Sequence, residues 1–82
     1  MTREILLLGV LRERAGTTTV TLELPEEATV GSIRTALADR LPELAALLPT
    51  CAIAIGHRYR NDADAVGEPG VEIAVVPPVS GG

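Results

Sequence analysis

The one stretch of helical periodicity in this chain lies between two groups of short apolar runs, and this order leaves few folds open. The apolar residues of the stretch recur at helical spacing, at Val30, Ile33, Leu37 and Leu41. Thr29 just before them is a good N-cap, and Pro42 just after them lacks the N–H that a continuing helix needs. The spacing therefore predicts one main helix over residues 30–41.

Two strands are predicted before this helix. Residues 5–10 form a short apolar run bounded by charges, and residues 17–24 alternate between apolar and polar side chains. The segment 11–16 between them ends in glycine and predicts a turn. The two strands are therefore expected to form a hairpin, which Pro25 closes.

Three further strands are predicted after the helix. Residues 52–55 are apolar, Gly56 and His57 favour a turn, and a short strand follows around Tyr59. The turn-rich segment 61–70 leads into the last apolar run, residues 71–76. The order ββ-α-ββ-β predicts an α+β architecture, in which one main helix covers one face of a mixed sheet.

The composition fits one small domain and excludes several function classes. Residues 1–76 are predicted to form this domain, and residues 77–82 an extended C-terminal segment. Apolar residues make up 46% of the chain and Tyr59 is the only aromatic residue, so an aliphatic core is expected. The net charge of −4 and the scattered positions of the seven arginines argue against nucleic-acid binding, which needs a clustered basic surface.

The residues with reactive side chains are isolated from one another in the sequence. Cys51 is the only cysteine, which rules out an internal disulfide and a cysteine metal cluster, and its apolar neighbours predict a buried thiol. His57 has no partner at metal-ligand spacing, so we expect a turn residue and no metal site. The apolar run at residues 5–11 is too short to span a bilayer. We therefore expect a soluble, cytoplasmic protein without a membrane partner.

The C-terminal segment, residues 77–82, combines two prolines with two glycines. Pro77 and Pro78 restrict φ and stiffen the exit from the last strand. Gly81 and Gly82 have no Cβ atoms, so they suit a flexible thread that enters a narrow slot. The α-carboxylate of Gly82 would then be the reacting group. The alternative is a frayed terminus without a function.

The strand alternation predicts an exposed apolar patch beside this segment. If Ile5 and Leu7 face the helix, the side chains that alternate with them face away from it. A sheet with one helix has one covered face, so Leu8, Tyr59 and Val76 are expected on the uncovered face. Contiguous patches of this kind usually mark a partner surface. The alternative is that the first and last strands are central and simply strongly apolar.

The hairpin, helix, short strands and proline-glycine segment together resemble the β-grasp, ubiquitin-like sulfur-carrier proteins. Within that family, the chain is most similar to the small subunits of molybdopterin synthase. The matching motifs are Leu11-Arg12-Glu13 with Gly16, and Val71-Glu72-Ile73-Ala74 leading into residues 77–82. The resemblance extends over essentially the whole chain.

This resemblance implies a carrier whose catalytic side chains belong to a partner. An E1-like enzyme would consume ATP to adenylate the Gly82 carboxylate, and a sulfur donor would convert it into a thiocarboxylate. The C-terminal segment would thread into a large subunit and deliver sulfur to cyclic pyranopterin monophosphate, which becomes molybdopterin. The threading residues would be Pro77, Pro78, Val79, Ser80 and Gly81. The family pattern implies a heterotetramer with the large subunit, and no cofactor bound by the chain itself.

Three other functions stay open at this point. A sulfur carrier for thiamine synthesis or tRNA thiolation would use the same terminal chemistry for a different client. A ubiquitin-like modifier would attach Gly82 to lysines of other proteins, although a chain without lysine could not form chains of itself. A β-grasp adaptor with an inert C-terminal segment would carry no chemistry.

Overall fold

The computed structural model describes residues 1–78, and this part of the chain forms a mixed sheet with one main helix packed on one face. The predicted α+β, β-grasp architecture is confirmed. The strands are β1 (Thr2–Leu7), β2 (Thr19–Glu23), β3 (Ala52–Ile55), β4 (Arg58–Arg60) and β5 (Ile73–Val76). The α-helices are α1 (Val10–Ala15) and α2 (Val30–Arg40), and two short 3-10 helices follow at Pro42–Leu44 and Leu48–Thr50.

The strand order in the sheet is β2-β1-β5-β3-β4, so the first and last strands of the domain lie side by side near its centre. β1 and β5 are parallel, with Leu6 opposite Ala74 and Leu7 opposite Val75. The other three strand pairs are antiparallel. A parallel pair needs a long crossover connection, and here that connection contains α2, which covers the inner face of the sheet.

The core between α2 and the sheet is aliphatic, as the composition predicted. Ile5 and Leu7 in β1 and Ile73 and Val75 in β5 are at most 1% exposed, as their predicted inward facing requires. Ala74, which was expected to face outward, is also buried, since β5 lies between β1 and β3. Further fully buried members from the helices and β3 are Leu11, Val30, Ile33, Leu37, Leu44 and Ile53. This burial of large aliphatic side chains is the dominant favourable contribution to folding.

Helix α2 begins where its sequence signals predict and ends within one residue of its predicted end. The Thr29 hydroxyl accepts a hydrogen bond from the Ser32 N–H at 3.3 Å, and the Ser32 hydroxyl accepts one from the Thr29 N–H at 3.1 Å. This reciprocal pair satisfies two N–H groups that a helix start leaves without partners. The helix ends at Arg40, one residue before the predicted end, and Pro42 opens the first 3-10 helix.

The prediction of a simple turn at residues 11–16 is wrong, because this segment lies within helix α1 and its cap. Leu11 is fully buried and ties the helix to the core. Gly16 ends the helix in the left-handed conformation, and its N–H donates to the Arg12 carbonyl at 3.0 Å. The β1 strand accordingly ends at Leu7, earlier than the apolar run suggested.

Arg3 is a buried charged residue whose role the sequence did not reveal. Its side chain is 4% exposed, and its guanidinium donates to the carbonyls of Gly67, Glu68 and Val71 at 3.1, 2.9 and 3.2 Å. These bonds hold the loop that precedes β5. β5 itself starts at Ile73, two residues later than the predicted residue 71. Within residues 1–78, neither helix is long and apolar enough to cross a bilayer.

Replacing Arg3 with methionine should lower the free energy of unfolding by about 2 kcal/mol, because three carbonyls lose a charged donor. Urea unfolding followed by circular dichroism measures this change as a lower midpoint. Arg14→Met, at an exposed position of α1, should change stability by no more than about 0.5 kcal/mol. Equal midpoints for the two variants would show that Arg3 does not hold the loop.

Candidate functional site

The sheet face opposite α2 is not covered by any element of residues 1–78, and a shallow apolar groove lies on it. Its lining residues are Leu6, Leu8, Ala54, His57, Tyr59, Glu72, Ala74 and Val76. We call these eight residues the outer-face patch. The three residues predicted for partner binding, Leu8, Tyr59 and Val76, are all among them. Their role in partner binding stays a prediction.

The floor of the outer-face patch follows from the register of four strands. Leu6 lies opposite Ala74, Ala74 opposite Ala54, and Ala54 opposite Tyr59. These residues therefore form one row across the sheet, with the two small alanines in the middle. Leu6 stands at one end of the row and Tyr59, which is 72% exposed, at the other. The result is a concave apolar surface that a convex partner surface can fill.

The two ends of the outer-face patch differ in polarity. His57 and Glu72 lie at the end where β5 begins, with His57 Nδ1 and Glu72 Oε1 3.9 Å apart and both side chains at least half exposed. Gly56 and His57 have φ of 58° and 69°, as in the tight hairpin turns that join antiparallel strands. The predicted turn at these residues is thus confirmed. Leu8 and Val76 form the apolar end of the patch.

The apolar end of the outer-face patch is also where the C-terminal segment begins. β5 ends at Val76, the partly buried Pro77 follows, and Pro78 is exposed. The outer-face patch therefore adjoins the start of the segment, as the strand alternation predicted. The predicted site residues Val79, Ser80, Gly81 and Gly82 lie outside the described residues.

Cys51 is buried, which confirms the prediction of an inaccessible thiol. Its Sγ donates to the Leu47 carbonyl at 3.3 Å. Burial raises the pKa of the Cys51 thiol, and the nearby positive charge of Arg34 opposes this rise only in part. The neutral thiol is thus favoured over the nucleophilic thiolate. Among residues 1–78, no three His, Cys, Asp or Glu side chains come close enough to hold a metal ion.

Arg34 borders a second groove, next to α2, and its guanidinium donates three hydrogen bonds within the protein. Its Nε donates to Asp62 Oδ1 at 2.8 Å, and its Nη1 donates to the carbonyls of Leu48 and Cys51 at 2.6 and 2.7 Å. These bonds tie α2 to the second 3-10 helix and to the segment before β3. This role of Arg34 could not be predicted from the sequence, since it depends on residues far apart in the chain.

One known protein family matches nearly the whole chain. The ThiS family model matches residues 5–82. The chain belongs to the ThiS family. The match includes the second half of β1, the other four strands, both α-helices and the C-terminal segment, and it confirms the family resemblance predicted from the sequence.

Individual relatives of this ThiS-family chain match it from end to end. The molybdopterin synthase sulfur carrier subunit of Caenorhabditis briggsae is 30% identical over 80 residues, which cover 96% of this chain and 95% of that protein. The structure of SAMP1 from Haloferax volcanii superposes with a TM-score of 0.84 at 29% identity, and all of both chains is covered. A chain from the Helicobacter pylori complex of molybdopterin-converting factor subunits 1 and 2 has the same fold, with a TM-score of 0.69 at 21% identity and full coverage of both chains.

The Cys51 thiol should react with an aromatic disulfide reagent at least about a hundredfold more slowly in the native protein than in urea, because the reagent needs an exposed thiolate. The release of the aromatic thiol from the reagent, followed by absorbance at mildly alkaline pH, measures the rate of this reaction. In a Cys51→Ser background, Ala46→Cys places a thiol at an exposed position and should react rapidly in the native state. A native Cys51 that reacts as fast as the Ala46→Cys thiol would contradict the assigned burial.

Proposed function

We propose that this protein is the sulfur-carrier subunit of molybdopterin synthase and that Gly82 carries the sulfur. The observation that carries the proposal is the end-to-end match to the Caenorhabditis briggsae sulfur carrier subunit, which includes 96% of this chain. The position of the outer-face patch gives independent support. An uncovered apolar surface beside the start of the C-terminal segment suits a protein that binds a partner and presents this segment to it.

The proposed chemistry begins with activation of the Gly82 carboxylate. A carboxylate oxygen attacks the α-phosphate of ATP in an E1-like enzyme, forming an acyl-adenylate and releasing pyrophosphate. Sulfide, as HS⁻, then attacks the acyl carbon, and AMP leaves. Loss of the sulfur-bound proton leaves a thiocarboxylate on Gly82, in which one oxygen has been replaced by sulfur. Glycine leaves the approach to this carbon open on all sides.

Sulfur delivery would take place in a complex with the large subunit. The outer-face patch would bind that subunit, while residues Pro77 to Gly81 thread into it and bring the Gly82 thiocarboxylate to cyclic pyranopterin monophosphate. Two such deliveries would build the dithiolene of molybdopterin. The catalytic side chains would come from the large subunit, which is consistent with the buried Cys51 and with the dispersed acids of residues 1–78. A heterotetramer of two small and two large subunits is part of this proposal.

A second candidate is a protein modifier. It is favoured by the likeness to SAMP1 of Haloferax volcanii, a small archaeal modifier protein, which covers all of this chain at 29% identity. The first steps would be the same, since both fates require an activated Gly82 carboxylate. The acyl group would then be transferred to a lysine amine of another protein, with formation of an isopeptide bond.

After incubation with an E1-like enzyme, ATP and sulfide, the intact chain should gain the mass difference between sulfur and oxygen, because Gly82 becomes a thiocarboxylate. Intact-mass spectrometry measures this gain, and fragmentation should place it on Gly82. A reaction without ATP and a chain that lacks Gly82 should both keep the unmodified mass. If the full chain never gains this mass with competent partners, the carrier proposal is wrong.

The same experiment in a cell lysate separates the two candidates. Isopeptide-linked peptides of this chain on lysines of other proteins would support the modifier. Trypsin would leave residues 61–82 attached, because Arg60 is the last basic residue of the chain. A thiocarboxylate chain that binds a molybdopterin synthase large subunit would support the leading proposal, whereas binding to a thiazole-forming enzyme would redirect the sulfur to thiamine.

Val76→Asp should weaken binding to the large subunit at least about tenfold, because it places a charge in the apolar end of the outer-face patch. Isothermal titration measures the affinity, and circular dichroism checks that the fold is kept. Val71→Asp is the matched control, since Val71 is a 38% exposed valine that does not line the patch. Equal affinities for both variants would show that the partner binds elsewhere.

A further inference from the structure

Gly9 occupies a backbone conformation that other residues avoid. Its φ and ψ are 56° and −132°, and the Leu11 N–H donates to the Leu8 carbonyl at 3.2 Å. This geometry is that of the first central position of a type II′ turn, where glycine is preferred because a Cβ atom is strained there. The turn joins β1 directly to α1.

The same glycine lies against the start of the C-terminal segment. A Cβ atom added to Gly9 would be 3.0 Å from Pro77 Cγ and 3.8 Å from Pro77 Cδ, and the first of these distances is tighter than nine in ten real Cβ contacts, so the ring would have to shift. Gly16 provides a contrast, since it also has a positive φ, of 74°, but an added Cβ would meet no atom within 4 Å. Glycine is therefore favoured at position 9 for two reasons. The backbone has a positive φ there, and the Pro77 ring occupies the space that a Cβ atom would need.

The contact between Gly9 and Pro77 is held in place from both sides. The Leu8 N–H donates to the Val75 carbonyl at 3.3 Å, which keeps the turn beside the end of β5. The Pro77 ring restricts φ at that residue, so a seated ring fixes the direction in which the backbone continues. Without room at Gly9, the ring would have to move away from the turn.

We propose that Gly9 is a positioning residue for the sulfur-carrier reaction: its missing side chain lets Pro77 seat against the β1–α1 turn, which aims the C-terminal segment at the activating enzyme. This inference rests on the proposed function. It assigns to Gly9 no contact with ATP, sulfur or the reacting carboxylate. Gly9 acts through Pro77 alone. With the ring seated, the C-terminal segment leaves the domain in fewer directions, so less conformational freedom is lost when the activating enzyme binds it.

Nuclear Overhauser spectroscopy on the unmodified full chain tests the contact itself. A cross-peak between a Gly9 Hα and the Pro77 Hγ protons is expected, because one Hα points where the added Cβ would lie. This cross-peak should disappear in Pro77→Ala, which keeps the glycine and removes the ring. Absence of the cross-peak in the folded wild-type chain would overturn the proposal, whatever the activity of any variant.

Steady-state kinetics of Gly82 adenylation test the functional consequence. Gly9→Ala should raise the KM for the carrier at least about fivefold with little change in kcat, because a displaced segment must be brought into place during binding. Gly16 also has a positive φ, but its added Cβ would meet no atom within 4 Å, so Gly16→Ala should keep the KM within about twofold of the wild-type value. Rates are compared at equal concentrations of folded chain.

The double variant Gly9→Ala/Pro77→Ala separates positioning from a general loss of stability. Its KM should match that of Pro77→Ala alone, because the added methyl group no longer meets a ring. The positioning role would be overturned if the two substitutions raised the KM by independent factors that multiply in the double variant. It would also be overturned if a folded Gly9→Ala chain kept the wild-type KM. Neither result would affect the carrier function. A wild-type chain that is never adenylated would instead overturn the proposed function.

Discussion

The parallel pairing of β1 with β5 is the interaction on which the rest of the molecule depends. It places the first strand of the domain beside the last one, with Leu6 opposite Ala74 and Leu7 opposite Val75. The inward residues of this pair form the centre of the core, and the outward ones form the floor of the outer-face patch. The pairing also brings the turn at Gly9 to Pro77, where the C-terminal segment starts. Core, patch and exit point are thus consequences of one register.

Much of this arrangement could be predicted from local patterns in the sequence. The helical spacing after Thr29 predicted α2 to within one residue at its end, and the alternation along β1 predicted which of its apolar side chains are buried. In β5, Ala74 is buried although it was expected to face outward, because β5 lies between β1 and β3. The rest depends on contacts between distant residues. Helix α1 forms where a turn was expected, because Leu11 reaches the core. Arg3 is buried because carbonyls more than sixty positions away accept its hydrogen bonds, a fact that no local pattern contains.

The candidate site was also predictable only as far as local patterns reach. Leu8, Tyr59 and Val76 could be placed on one face because strand alternation is a local property. The row of small alanines between Leu6 and Tyr59 could not, since it requires the order of four strands. The aliphatic body provides a concave surface and a fixed exit at Pro77, and it keeps its one thiol buried. In the proposed function, the folded body therefore binds the partner and directs the C-terminal segment towards it, and the reaction takes place on that segment.

The central claim is that the reaction takes place at the carboxyl group of Gly82 and that the folded body only presents it. The most direct measurement is molybdopterin formation in a reconstituted mixture of this protein, a large subunit, an activating enzyme, ATP and sulfide. One alanine added after Gly82 moves the carboxylate by a single residue and leaves residues 1–78 unchanged. We expect the wild-type chain to yield product and the extended chain to yield none. Normal product from the extended chain, with intact mass excluding its trimming, would contradict the account.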